Sequence, residues 1–487
     1  MKHLQPHSVW AHFATLCTIP RSSLHEAALR DHLIAWADNL GISTQVDAVG
    51  NLILRKPASP GCEAMPGVIL QGHLDMVCQA NAGTQHDFER DAIQTVVRDG
   101  WVIAENTTLG ADNGIGVALA LAALEEPGLV HPALEVLLTI NEESGMDGAR
   151  ELAPGTLKGK ILLNLDTEEW GHFYLGCAGG VDVNASRSCR TEPITAGYVT
   201  WQVEVTGLRG GHSGIDIHLG RGNAIQLLAE FLRDAAGQID LRLISLTGGS
   251  ARNAIPREAF AFVALPANKI ATLQTLVSSH SSAWQQRFSG CNEGVHLNCN
   301  EQESTTNSSL TSDERTTLLE FLLNAQNGVK QMSPHFAGVV ETSDNLGVVK
   351  LENGVWRITF KVRSLIDAQA NALADEIVQH ALSCGAQAEK SGGYPGWTPN
   401  PASPLLDVCQ QVYRQEFGQP ASLQVIHAGL ECGLLAASHP HLDMISFGPN
   451  IRGAHAPGES VEIASVGRCW QLLTAILQAL SSSTVKA

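Results

Sequence analysis

Apolar residues along the first part of the chain fall into two patterns. Continuous apolar runs at 67–71, 133–140 and 161–165 read as strands, and a similar run stands far away at 444–447. An Ala- and Leu-rich helical pattern at 115–124, entered through Gly114, separates the first two runs. Near the N-terminus, Val9, Phe13, Leu16 and Cys17 fall at helical spacing and predict an amphipathic opening helix. In the middle of the chain, alternation at 199–205 and 355–362 predicts half-buried strands, accompanied by helical patterns at 224–232 and 315–324. The Ser/Thr/Asn-rich stretch 303–312 reads as an exposed loop. No fixed-period repeat and no coiled coil is present.

The expected fold is α/β: a catalytic domain with a central mixed sheet flanked by helices, interrupted by an α+β lid domain. The boundaries expected are 1–180 and 393–487 for the split domain and 181–392 for the insertion. The insertion opens after Gly179-Gly180 and closes before the turn-rich stretch 392–404. With 487 residues, two or more domains are needed, and a hydrophobic fraction of 44% supplies their cores. A net charge of −18 and only 5% aromatic residues argue against nucleic acid, and the charge also argues against an anionic membrane. Eleven cysteines without a CxxC pair suit a reducing, cytoplasmic setting. The N-terminal segment shows no apolar run of signal-peptide type.

The four apolar runs end at acidic or histidine residues or lead into loops that contain them. Open α/β sheets bind ligands outside the carboxyl ends of their strands, so these segments are expected to converge on one cleft. In Gly72-His73-Leu74-Asp75-Met76, His73 and Asp75 point to the same face of a strand. A neutral imidazole there can bind a metal while the carboxylate holds its other N–H. In Thr108-Leu109-Gly110-Ala111-Asp112-Asn113-Gly114, glycines allow a tight turn, and the carboxylate of Asp112 can bridge two cations. Glu142 and Glu143 are adjacent after a strand, one able to face a metal and the other a water. Asp166 and His455 complete the set. Singly, each motif also reads as ordinary structure: a capped strand end, a helix N-cap at Asp112, a favourable helix dipole at Glu142-Glu143, and turn residues. Jointly, two histidines and three carboxylates supply ligands for two open metal sites and leave Glu142 as a base. A single-zinc HExxH helix is absent.

These motifs, with the late GAHAPGE loop, resemble the co-catalytic metallopeptidases of the aminoacylase/carboxypeptidase type. GLRGGHSGIDIH, GGSARNAIPREAFA, KVRSLID, GGYPGWTP and HAGLECG in the middle and later chain are similar to the aminoacyl-histidine (Xaa-His, carnosinase-like) dipeptidases. The likeness runs over nearly the whole chain and is weakest around 277–311.

The resemblance implies two divalent ions, Zn²⁺ first, with Mn²⁺ or Co²⁺ as alternatives. Asp112 would bridge them, with His73 and Asp166 completing one site and Glu143 and His455 the other. Glu142 would be the general base that activates a bridging water, and Asp75 would orient His73. His212 resembles a lid histidine that polarises the scissile carbonyl, in its own subunit or in a partner's. Asn253 and Arg363 match positions that hold the substrate's terminal carboxylate. His218, His427 and Glu431 carry weaker expectations, each with an ordinary structural reading. The implied protein is a homodimeric, cytoplasmic dipeptidase for short peptides such as Xaa-His, including β-Ala-His. The same ligand set also serves a tripeptidase or an N-acyl amino acid deacylase. A catalytically inactive binding homologue is disfavoured because every ligand and the base are present.

Overall fold

The computed structural model of the chain describes residues 1, 3–291, 294–302 and 307–482. The chain divides into two compact units. One comprises Met1–Cys177, Trp397–Val425 and Leu430–Ala487, and the other comprises Ala178–Gly396 with Ile426–Gly429.

The first unit is built on an eight-stranded mixed sheet, in the order Ser43–Val46, Leu52–Lys56, Leu134–Thr139, Val68–His73, Ile161–Asn164, Asp443–Ser446, His172–Cys177 and Ser422–Ile426. The four middle strands, from Leu134–Thr139 to Asp443–Ser446, run parallel. All are buried apart from the half-buried Asp443. Continuous apolar runs can form such strands only where helices cover both faces. Helix His7–Leu16 turns Val9, Trp10, Phe13 and Leu16 inward and packs against Ala111–Glu125, which is buried almost all round. The last helix, Ile463–Leu480, is long and apolar enough by composition to cross a membrane. In this fold its Val466, Cys469, Leu473, Ile476 and Leu477 lie in the core of the unit.

Parallel register fixes what leaves the sheet together. Gln71 stands opposite Asn164, and Asn164 stands opposite Ser446. Two residues beyond Gln71 and Asn164, His73 and Asp166 therefore emerge at the same carboxyl edge.

The second unit carries a nine-stranded antiparallel sheet. Its continuous path runs His296–Glu301, Tyr198–Thr206, Ala259–Pro266, Arg242–Gly248, Val340–Glu352, Val355–Ser364, Gly179–Ser188 and Gln387–Tyr394, and Gly328–Met332 adds beside Val340–Glu352. Helices Ala224–Ala236, Ile270–Arg287, Ser312–Asn324 and Asp367–Ser383 contribute to its core. The expectation of an exposed loop at 303–312 needs correction in its second half, while 303–306 lie outside the described residues. Ser308–Leu310 is a strand paired with Thr191–Pro193, Ser309 and Leu310 are buried, and a helix starts at Ser312. Polar composition suggested solvation, but ladder pairing satisfies the backbone and Leu310 anchors the segment in the core.

Candidate metal centre

His73 ends its strand, 1% exposed. Its Nδ1 lies 3.3 Å from an Asp75 carboxylate oxygen and 3.2 Å from the Asp75 carbonyl. Both partners can only accept, so the neutral ring carries its proton on Nδ1 and keeps a lone pair on Nε2. That Nε2 faces Asp112 Oδ1 at 3.2 Å and Asp166 Oδ1 at 3.6 Å. The other Asp112 oxygen, Oδ2, lies 3.2 Å from Nε2 of His455, which also stands 3.1 Å from Glu143 Oε2. The five residues thus form two triads that share the Asp112 carboxylate.

These spacings suit divalent cations. Ligand atoms held tetrahedrally at about 2.0–2.1 Å from one ion stand roughly 3.3–3.4 Å apart. Donor atoms of His73, Asp112 and Glu143 lie within 4.8 Å of one another. The second carboxylate oxygen of Glu143 is buried without a hydrogen-bond partner. A buried acceptor left unpaired is costly, and a cation held by these residues would satisfy it. Nitrogen and oxygen donors of this kind suit zinc, manganese or cobalt.

The turns that present these groups are tied together from behind. Asp75 is fully buried and accepts from Ser23 Oγ at 2.7 Å and from the backbone N–H groups of Glu142 and Glu143 at 3.0 and 3.1 Å. It therefore holds the backbone of Glu142 and Glu143 in place as well as the His73 ring. Gly110 has a φ of +70°, and a Cβ there would meet Arg21 Nη2 at 2.4 Å and Met76 Sδ at 2.7 Å, so a side chain here would be strained and would have to displace Arg21 or Met76. Asp112 does not act as a helix N-cap: its side chain reaches the two histidines, and the carboxylate of Glu459 receives the N–H groups of the turn.

The site's charge environment follows from burial. Desolvation raises the Glu142 carboxyl well above the usual range against the pull of His73, and the neighbouring charges of Asp166, Glu431 and Glu143 add to the rise. Asp166 is pushed up to about 6, chiefly by burial. Asp112 is held well below the carboxylate range: burial opposes this, but hydrogen bonds from His455 and His73 win.

A sequence model of peptidase family M20/M25/M40 matches residues 69–479. The chain is 43% identical to the cytosol non-specific dipeptidase of Escherichia coli (strain K12), over 98% of each chain. It is also 43% identical to the aminoacylhistidine dipeptidase of Vibrio alginolyticus, whose crystal structure superimposes with a TM-score of 0.90 over 98% of this chain and 97% of that one. This chain belongs to peptidase family M20/M25/M40. As a member it is a hydrolase acting on peptide bonds. Aminopeptidase PepT from Bacillus cereus, 16% identical with a TM-score of 0.57, shares the fold.

The remaining expected residues of the peptidase lie in its second unit. The Arg363 guanidinium is 4% exposed and donates to Tyr394 Oη at 2.7 Å and Ser213 Oγ at 3.4 Å. Among the described residues no carboxylate pairs with it. His212, on the short strand Gly211–His212, accepts the N–H groups of Gly214 and Ile215 at Nδ1, at 3.2 and 3.1 Å. A neutral His212 therefore carries its proton on Nε2, and that nitrogen lies 3.4 Å from Arg363 Nη2. Two donors face one another with no acceptor between them, a cradle for an anionic or carbonyl oxygen. Burial and the Arg363 charge push the His212 pKa down to about 4, so the ring is neutral near pH 7. Asn253 sits in the adjoining turn, where its carbonyl accepts the Ser213 N–H at 2.8 Å. His427 is buried and bonded to Ser343 Oγ at 2.8 Å, and His218 is exposed.

The partners of Glu431, a weaker candidate from the sequence, escaped the sequence reading. Glu431 accepts from Gln71 Nε2 at 2.6 Å and Thr139 Oγ1 at 2.7 Å, and Gln71 continues to Asn164 and Ser446. This buried polar belt crosses four strands one layer below His73 and Asp166. Polar residues inside apolar runs were its only local sign.

Proposed function

We propose that the peptidase is a cytoplasmic two-metal dipeptidase that hydrolyses unblocked dipeptides, Xaa-His and β-Ala-His among them. The observation that carries this reading is the shared carboxylate: Asp112 meets His73 with one oxygen and His455 with the other. Divalent ions in the two triads would polarise the scissile carbonyl and make a water acidic enough to ionise near neutral pH.

The chain's own groups do the rest. Glu142 takes the proton of the attacking water and returns it to the leaving amine, a task that suits a carboxyl whose pKa burial has raised. Asp75 keeps the His73 ring turned and the Glu142 backbone pinned. The Nε2–H of His212 stabilises charge developing on the carbonyl oxygen. Arg363, with Asn253, holds the C-terminal carboxylate of the substrate, and the fork of the guanidinium makes the free terminus the preferred one. In this reading the second unit is the substrate-binding lid, inserted at 181–392, and the enzyme works as a homodimer. The names of the Escherichia coli and Vibrio relatives support dipeptides as substrates, and the word cytosol in the first supports the location.

The test is hydrolysis of β-Ala-His, Gly-His, Leu-Gly, Ala-Ala-Ala and an N-acetyl amino acid by metal-stripped protein, with and without Zn²⁺ or Mn²⁺. Metal-dependent cleavage confined to dipeptides is expected, and faster cleavage of the His-containing pair supports the Xaa-His preference. Cleavage of the tripeptide or acetyl compound instead makes it a tripeptidase or deacylase. Silence on all of them overturns the catalytic reading in favour of a binding homologue.

A further inference from the structure

Four consecutive N–H groups, from the turn before Ala111 into the start of the helix, are aimed at one carboxylate. Glu459, 2% exposed, accepts from Leu109 and Gly110 through one oxygen, at 2.7 and 2.9 Å. Its other oxygen accepts from Ala111 and Asp112, at 2.7 and 3.2 Å. Glu459 lies four residues after His455, in the same hairpin between the paired strands Ile451–Arg452 and Ser460–Glu462. Its carbonyl also accepts the Ala104 N–H at 3.1 Å, and Gly458 N–H donates to Thr107 at the same distance. One side chain thus ties the loop that carries His455 to the turn that carries Asp112.

Arg21 closes the arrangement from the opposite side. Its buried guanidinium donates to the carbonyls of Leu74 and Asp75, both at 2.9 Å, and to Gly110. The turn that follows His73 is therefore tied to the same Gly110 that Glu459 holds. Neither Arg21 nor Glu459 is hydrogen-bonded or ion-paired to a donor atom of the two triads, yet each is bonded to the backbone that presents them. Charge-assisted bonds to consecutive N–H groups are strong, and four of them leave the turn little freedom.

We propose that Glu459, with Arg21 opposite, is a positioning residue that sets the distance between the His73 and His455 sides of the metal centre. The inference rests on the two-metal reading above. A carboxylate spaced correctly between two imidazoles requires both loops to be fixed relative to the Asp112 turn, and Glu459 is the group that joins one loop to it.

The experiment is Co²⁺ titration of metal-stripped wild type, Glu459→Gln and Glu459→Asp, followed by calorimetry and by the visible spectrum of bound cobalt. Leu121→Ala, in the same helix and away from the triads, serves as a control for general destabilisation. Wild type is expected to take two ions. Glu459→Gln presents an amide NH₂ to two of the four donors, so at least one ion should bind roughly 10–100-fold more weakly, with an altered cobalt spectrum. Glu459→Asp keeps the charge but withdraws it by one methylene, and should show a smaller change of the same kind even if the Gln variant does not fold. Leu121→Ala should lower the melting temperature and leave the spectrum unmoved. Wild-type affinity and spectrum in a folded Glu459 variant, or an equal spectral change in Leu121→Ala, overturn the proposal. Wild type that fails to take two ions overturns the two-metal reading itself, and the inference with it.

Discussion

The Asp75 carboxylate lies 3.3 Å from Nδ1 of His73 and is itself fully buried. Because the same carboxylate accepts the N–H groups of Glu142 and Glu143, it serves the proposed ligand sphere and the proposed base at once. Asp75→Ala should therefore lose more than an orienting bond. Metal affinity is expected to fall roughly 10–100-fold, with turnover falling further even at saturating metal. Asp75→Asn can still accept through its amide oxygen and should sit between the two. Metal content and kcat measured on the same preparations check this, and an Ala variant with normal kcat once loaded would remove Asp75 from the placement of Glu142.

Among the described residues the Glu142 carboxylate accepts no hydrogen bond, and it takes no part in the two triads, which separates it from Glu143. Glu142→Ala should keep its metal and lose roughly 10²–10⁴-fold in kcat. Metal analysis beside steady-state kinetics decides the matter. A parallel loss of metal and activity would make Glu142 a ligand.

The buried guanidinium of Arg363, which meets no carboxylate among the described residues, predicts a selective defect. Removing a hydrogen bond to a charged group costs about 1.5–3 kcal/mol. Arg363→Ala should accordingly lower kcat/KM for free dipeptides by roughly 10–100-fold, and far less for C-terminally amidated ones, which start from a lower value. Equal losses on both substrates would show that Arg363 does not read the carboxylate.

The sheet and the donor set were legible in sequence for the same reason. Strands such as Val68–His73 and Ile161–Asn164 are continuous apolar runs, and His73 and Asp166 stand immediately at or after their ends, where α/β sheets gather function. What joins the donor groups was not legible. Arg21 reaches Gly110 across 89 positions, and Glu459 reaches Ala111 across 348, and no period or local composition encodes such a pairing. The strand Ser308–Leu310 was hidden likewise, because its partner Thr191–Pro193 is remote and its own residues are polar. The tautomer of His212 depends on the N–H groups of a turn whose shape only the folded backbone defines.

Protonation gives the remaining prediction its sign. In the ion-free protein burial works against a charged His73, but Asp166, Asp112 and Asp75 prevail and hold its pKa well above the ordinary value. Hydrogen bonds to Asp112 and then Glu143 push His455 up to about 11. Both imidazoles therefore hold two protons near pH 7, and each must surrender one before Nε2 can bind a cation. A histidine with a raised folded pKa stabilises the ion-free fold fully below about pH 6.5. That contribution is lost as pH rises through the raised value, whereas metal binding gains over the same range. Zn²⁺ affinity should thus rise with pH, and loading at pH 7 should release about two protons. Calorimetric titration of metal-stripped protein in two buffers of different ionisation enthalpy counts them. A binding heat that does not depend on the buffer would mean that the histidines are already neutral, and that the hydrogen bonds to Asp112 do not govern their protonation.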